Sequence, residues 1–393
     1  MLVSFALILI CGFALSGIFQ KLHLPGLLGM LITGIILGPY ALNLIDPDIL
    51  TISADLREIA LIIILVRAGL SLDIKDLKKV GRPAILMCFI PATFEIAGAV
   101  LLAPPLLNVS IVEAAIMGAM LGAVSPAVII PKMLALMENG YGKQKSIPQL
   151  IMAGASADDI YCIVLFTAFI DVYKGGSINI LTILNIPVSI LTGLAAGIGT
   201  GILLVHLFKK IHIRDTVKIL VILGISFLLV GFEEYVASMV PFSGLLAVMA
   251  LGGTILKMYD TLAKRISGKF SKIWVAAELV LFVLVGAAVD LRYAYGAGIA
   301  VILLIFGALT FRAIGVFVSL IHSGLTVKEA IFCNIGYLPK ATVQAAVGTI
   351  PLAAGVAAGN TILSVAVLSI ILTAPLGAMG IDLTYKKILK NKE

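Results

Sequence analysis

Thirteen long apolar stretches, joined by polar connections too short to fold alone, set the terms for this chain. They lie at roughly 2–19, 25–38, 59–72, 83–103, 112–135, 147–170, 178–207, 216–232, 242–256, 273–289, 297–321, 328–350 and 357–377. Hydrocarbon offers backbone amides and carbonyls no partner, so each stretch must satisfy them internally, as a helix does. Of the 393 residues, 61% are hydrophobic and only 12% charged, and the mean hydropathy of +1.16 is far above soluble usage. The expected fold class is an all-α polytopic membrane protein with 13 transmembrane helices. The first stretch has no basic residue ahead of it and only Lys21 behind, which marks a retained span rather than a cleaved leader.

Basic residues alternate along the chain. Loops after odd-numbered spans carry Lys21; Lys75, Lys78, Lys79 and Arg82; Lys143 and Lys145; Lys209, Lys210, Arg214 and Lys218; Lys257, Lys264, Arg265, Lys269 and Lys272; and Lys328. Loops after even-numbered spans and their borders carry only Arg57, Lys174 and Arg292, among acids such as Asp46, Asp171, Glu233 and Asp290. The bias puts the N-terminus outside and the C-terminal tail, with Lys386, Lys387, Lys390 and Lys392, in the cytoplasm. It also accounts for the formal net charge of +7 without a nucleic-acid partner, because the bases form no stripe. Cys11, Cys88, Cys162 and Cys333 sit singly in apolar spans, so neither a disulfide framework nor a resident metal is implied, and no cofactor is expected. His23, His206, His212 and His322 fall at span ends and read as interfacial.

Against this background two adjacent aspartates, Asp158 and Asp159, interrupt the sixth span. A carboxylate at bilayer depth costs roughly 2.5 to 3.5 kcal/mol on insertion scales, so two in succession point to a site. Neighbouring helical positions diverge by about 100°, so the pair borders one polar cavity from two sides, as suits a small cation or a proton. The fifth span carries Ser125 and Pro126 at its centre, and the twelfth carries Pro339 and Lys340. Each proline removes a backbone donor, so both spans are expected to be broken helices.

The halves resemble each other. Leu65-Val-Arg-Ala-Gly69 matches Leu284-Val-Gly-Ala-Ala288, and Thr93-Phe-Glu-Ile-Ala-Gly98 matches Thr310-Phe-Arg-Ala-Ile-Gly315. The offset is nearly constant, and an odd number of spans between the copies inverts one against the other. The repeats are expected at about 2–170 and 216–377. Matched breaks in opposed repeats mark an ion site. There Lys340 can offset carbonyl ends, and Ser125 offers a hydroxyl to the backbone or to an ion. Glu95 and Arg312, at matching positions, read as a structural ion pair, and a simple pair tolerates exchange of its charges. Arg67 and Glu278 lie nearer their span ends, and Glu233 and Glu234 close the eighth span as a solvated acidic mouth.

The run Gly122-Ala-Val-Ser-Pro-Ala-Val-Ile-Ile-Pro131, then Asn139-Gly-Tyr-Gly142, Ile147-Pro148, Ala155-Ser-Ala-Asp-Asp-Ile160 and Tyr337-Leu-Pro-Lys-Ala-Thr-Val-Gln-Ala345, resembles the NHA branch of the monovalent cation/proton antiporters. Those are bacterial relatives of the animal sodium/proton exchangers of that name. The resemblance spans nearly the whole chain. It implies a single sodium/proton exchanger domain over 1–393 with an NhaA-like antiporter fold of inverted repeats and two crossed broken helices. It further implies a homodimer in a bacterial inner membrane, with core helices at about 83–170 and 297–377 moving against a dimerisation part formed by the others. Na+ or Li+ would exchange for H+ at Asp158 and Asp159. The wider superfamily commonly has Lys in the eleventh span; here it is Arg312, as in the NHA branch, which tells against neutralisation of Asp158 by a titrating lysine.

The chemistry agrees with the residues themselves. Na+ and Li+ are hard ions that want oxygen, which Asp158, Asp159, Ser125 and freed carbonyls supply, and protons compete for the same oxygens. A K+/H+ antiporter or channel-like K+ efflux system on this scaffold is the nearest alternative. A sodium-coupled symporter of an organic anion would need a further polar pocket. An intramembrane aspartyl hydrolase needs carboxylates from two segments, whereas these are sequence neighbours, so the chain is not read as an enzyme.

Overall fold

The computed structural model of the protein describes residues 1–22, 24–71, 81–175, 180–211, 213–236, 240–289 and 298–389. His23, Lys75, Lys78, Lys79, His212, Asp290, Arg292, Lys390 and Lys392 lie outside the described residues. The chain forms α1 (Leu2–Lys21), α2 (Gly26–Leu37), α3 (Pro47–Thr51), α4 (Ser53–Ser71), α5 (Arg82–Met87), α6 (Ile90–Leu107), α7 (Ile111–Gly122), α8 (Pro126–Glu138) and α9 (Ile147–Lys174). It continues through α10 (Ile180–Lys210), α11 (Asp215–Val236), α12 (Gly244–Met258), α13 (Asp260–Ala287), α14 (Gly298–Ser319), α15 (Val327–Gly336), α16 (Thr342–Val347), α17 (Ile350–Ala353) and α18 (Gly359–Ile388).

Each of the thirteen apolar stretches falls on helix. Among the described residues seven helical runs are long and apolar enough to cross a membrane: Leu2–Lys21, Arg82–Leu107, Leu191–Lys210, Asp215–Glu233, Asp260–Ala287, Gly298–Ser319 and Gly359–Ile388. Both expected interruptions are present. The fifth stretch is divided into α7 and α8 and the twelfth into α15 and α16. An unexpected one separates α5 from α6, where Pro91 lacks the N–H that would continue the ladder.

The described helices form two compact units, one within 1–54, 73–170 and 282–393, the other within 55–72 and 171–281. In the second unit, α12 lies close to both α4 and α10 through small residues. A Cβ on Gly69 would meet Met249 O at 2.3 Å, and one on Gly197 would meet Ala247 O at 2.2 Å. Arg265 grips Asp215 through two nitrogens at 3.1 Å each. Glu233, read from sequence as part of a solvated mouth, is instead half-buried and accepts Gly244 N at 2.7 Å, closing the start of α12. In the same unit Arg67 and Glu278 are half-buried and lie within electrostatic range of each other.

The first unit holds all the residues singled out for the site. At its centre α6 and α14 cross in opposite directions and approach closely. A Cβ on Gly98 would lie 2.7 Å from the Phe311 ring, and one on Gly307 would lie 2.5 Å from Leu102. Gly315 is the counterpart of Gly98, with Pro91 Cα at 2.8 Å and Phe94 Cβ at 3.1 Å. Phe94 meets Gly315 as Phe311 meets Gly98, so the two matched motifs pack on each other reciprocally. The two broken spans also open alike, each with a capping box: Ser110 with Glu113 before α7, and Thr326 with Glu329 before α15. Glu113 then accepts Ala358 N at 2.9 Å, just before α18, while Glu329 accepts Lys145 Nζ at 2.7 Å, just before α9.

The close crossing makes a prediction. Gly315→Val places a branched side chain against the backbone of Pro91 and should lower stability by about 1–3 kcal/mol. Gly17→Ala in α1, where a Cβ meets nothing within 4 Å, should leave it unchanged or higher. Melting curves of the purified variants test the contrast, and equal melting temperatures would refute it.

Candidate functional site

A proline in a helix frees the carbonyl four residues before it, and in this core two such oxygens have a donor from a distant side chain. Pro126 releases Gly122 O, which accepts from Arg312 Nη1. The same nitrogen donates to Glu95 Oε2 at 2.6 Å, and Arg312 Nη2 donates to Asp158 Oδ2 at 2.7 Å. Met120 O and Ala123 O, at the same opened helix end, accept from Gln344 Nε2 at 2.8 and 2.9 Å. Pro91 releases Met87 O, which accepts from the Tyr337 hydroxyl at 3.4 Å.

The breaks meet where Ser125 N donates to Pro339 O at 2.8 Å. The second break rests on α18: a Cβ on Gly377 would lie 2.4 Å from Pro339 Cγ, and Lys340 N donates to Thr373 Oγ1 at 2.9 Å. Lys340 Nζ donates to Glu95 Oε2 at 2.7 Å. Glu95, Asp158, Arg312 and Lys340 are therefore one network, each at most 1% exposed. The Arg312 guanidinium lies over the Tyr337 ring, 5.2 Å from its centre. Tyr337 fits only because position 154 is glycine, where a Cβ would fall 1.9 Å from its hydroxyl.

The two aspartates are unequal. Asp158 is fully buried and bound through Oδ2 by Arg312. Asp159 is partly exposed, and its buried Oδ1 has no hydrogen-bond partner among the described residues. Asp158 Oδ1, Ser125 Oγ, Thr342 Oγ1 and Gln344 Oε1 are likewise buried and unpartnered. Leaving a buried acceptor unmatched costs about 1–3 kcal/mol, so oxygens gathered at the two breaks and the aspartates suit a hard monovalent cation.

The structure thus brings together Asp158, Ser125, Glu95, Arg312, Lys340, Pro126 and Pro339, with Asp159 beside Asp158 in α9. It differs from the sequence expectation in two roles: Glu95 and Arg312 belong to a network with Asp158 and Lys340 rather than to a simple pair, and Lys340 does not meet the carbonyl ends of the first break. The Lys340 ammonium goes to Glu95, and the carbonyl ends of the first break are met by Arg312 and Gln344, because a lysine point charge already has a carboxylate within reach. Sequence reading also passed over Gln344, Tyr337, Gly154 and Thr373. The signal for one of them was present: Met87 stands four residues before Pro91, so a new donor was required, and Tyr337 supplies it.

A family model described as transmembrane sodium/hydrogen exchanger matches residues 5–387. The chain is 33% identical over 388 residues to human sodium/hydrogen exchanger 9B2, covering 94% of this chain and 71% of the relative. It is 32% identical over 385 residues to human sodium/hydrogen exchanger 9B1, covering 93% and 73%. A solved structure of the sodium proton antiporter MjNhaP1 from Methanocaldococcus jannaschii at pH 8 superposes with a TM-score of 0.82 at 22% identity, covering 98% of both chains.

The network also predicts how it breaks. Glu95→Gln strands both Arg312 and Lys340, and should cost about 3–5 kcal/mol. The charge-exchanged double variant, Glu95→Arg with Arg312→Glu, should not recover that loss. It would set an arginine against Lys340 and a glutamate against Asp158. Thermal melting of both variants is the check, and recovery of the melting temperature in the double variant would show an isolated pair.

Proposed function

The chain belongs to the family of transmembrane sodium/hydrogen exchangers, and from that premise we propose how it exchanges Na+ for H+: Asp159 takes the ion while Arg312 clamps Asp158. The observation that carries this reading is the inequality of the aspartates. One carboxylate is locked in the buried network, and the other is partly exposed with no described partner. Na+ or H+ at Asp159 draws on the same oxygens, with Asp158 Oδ1 and Ser125 Oγ as further ligands. Competition for one place couples the opposed movements. Li+ has the same ligand preference and is carried in the same way.

Charge supplies the stoichiometry. Glu95 and Asp158 balance Arg312 and Lys340, two charges against two, and Asp159 next to Asp158 adds a third negative charge. A buried cluster is stable when neutral, so the single excess charge is matched by one Na+ or one H+. Exchange on this account is one for one and moves no net charge.

Alternating access follows from the crossed breaks. The helices of 83–170 and 297–377 carry both breaks and both aspartates, and we take them as the moving core, with the remaining helices forming the dimerisation part of a homodimer. Reciprocal packing of α6 on α14 supports the inverted repeat, because matched residues on opposed copies exchange partners. The alternation of basic loops supports an N-terminus outside and a C-terminus in the cytoplasm, and we assign the protein to a bacterial inner membrane.

Reconstituted protein tests the assignment. Asp159→Asn should abolish Na+-dependent proton flux with the melting temperature retained, whereas Asp158→Asn should lower both, since it also removes a partner of Arg312. Normal flux in Asp159→Asn would sink the reading. Lys340→Arg keeps the charge on Glu95 and should retain much of the exchange, while Lys340→Gln should not. Loss of all exchange in a folded Lys340→Arg protein would instead make Lys340 a proton carrier, since arginine holds its proton. On solid-supported membranes, Na+ steps should give no sustained current.

A further inference from the structure

Away from the aspartates, three chain segments close around a cavity of about 830 Å³: the turn before α9, the start of α15 and the end of α18. Its charged lining is Lys145, Lys328, Glu329, Lys386 and Lys387, four cations to one carboxylate. That carboxylate is already committed. Glu329 Oε2 accepts from Thr326 N at 2.6 Å, from Thr326 Oγ1 at 2.9 Å and from Lys145 Nζ at 2.7 Å.

The remaining lysines have no carboxylate partner among the described residues. Asp382 stands one turn before Lys386, where an i,i+4 pair would form, but its carboxylate is held by Lys132 at 2.6 Å. The Lys386 ammonium lies over the ring of the neighbouring Tyr385, 5.8 Å from its centre. The wall behind them is firm: Tyr385 and Tyr141 pack edge to face with centroids 4.9 Å apart, and Leu389 and Ile147 are buried. Three ammonium groups around one concavity repel each other, and an anion with several oxygens relieves that repulsion while accepting from all three.

We propose that this cavity is a binding site for a phosphate group, held by Lys328, Lys386 and Lys387. The phosphate comes from an anionic lipid headgroup or from a soluble phosphate compound. The helices that meet there carry the aspartate pair, the second break and the face on which Pro339 rests, so an occupant ties their ends together. A ligand that binds only the folded protein raises its melting temperature, which gives a readout independent of transport.

The experiment uses the full chain purified in detergent, melted with inorganic pyrophosphate, with dioctanoyl phosphatidic acid or with dioctanoyl phosphatidylcholine, against potassium chloride at matched ionic strength. Pyrophosphate or phosphatidic acid should raise the melting temperature by several degrees above the chloride and phosphatidylcholine controls. A response to pyrophosphate alone assigns a soluble source, and a response to phosphatidic acid alone assigns a headgroup. The triple variant Lys328→Gln, Lys386→Gln and Lys387→Gln should melt like the parent without ligand and lose the rise. A comparison variant, Lys209→Gln with Lys210→Gln, should keep it. No rise with either phosphate, or an equal rise in the triple variant, overturns the proposal. If the triple variant fails to fold, Lys387→Gln alone should at least halve the rise, and an undiminished rise there counts against it equally.

Discussion

A guanidinium that holds its charge at any working pH, sealed from water, must be surrounded by acceptors before anything else in the core can be arranged. Arg312 has three: Glu95, Asp158 and the carbonyl of Gly122. Two are carboxylates on different helices and the third exists only because Pro126 opens the first broken span. The break, the aspartate and the cross-helix pair are thus bound to one another by the demand of a single side chain. Removing any of them leaves a buried charge short of partners.

The breaks are stable for a related reason. Interrupted helices expose carbonyls where neither lipid nor bulk water can satisfy them, and such groups are tolerated only when protein supplies donors. Here Gln344 reaches from the second broken span to two carbonyls of the first, and Ser125 N returns the contact to Pro339 O. Each broken helix repairs the other, so the two behave as one element. Close packing at Gly98 and Gly315 brings α6 and α14 together, and at Gly377 it seats Pro339 of the second break on α18. Small residues and polar donors are two halves of the same arrangement.

On the proposed reading the aspartates divide their labour by position alone. They are adjacent in sequence, but a helix turns them apart, so that Asp158 faces the guanidinium while Asp159 is partly exposed. On the function proposed above, a fixed carboxylate within a balanced network and a second one beside it form a site completed by a monovalent cation or a proton.

Much of this was legible in the sequence. Hydropathy alone placed all thirteen stretches on helices, because the bilayer permits few alternatives. Pro126 and Pro339 marked the breaks, although Pro104, Pro105 and Pro375 lie inside unbroken helices, and two aspartates in an apolar run marked a candidate site. The pairing of Glu95 with Arg312 followed from their matched places in the repeats. What sequence left undecided was the third partner in each case. Lys340 turns to Glu95 rather than to the carbonyl ends, Gln344 takes those ends, and Tyr337 lies under the guanidinium over Gly154. Each of these joins residues far apart in the chain through contacts of a few ångströms. The sequence determined which groups would be left unsatisfied, by chemistry local to each proline and each charge; only the tertiary structure decided which distant side chain would satisfy them, because that depends on how closely the helices pack.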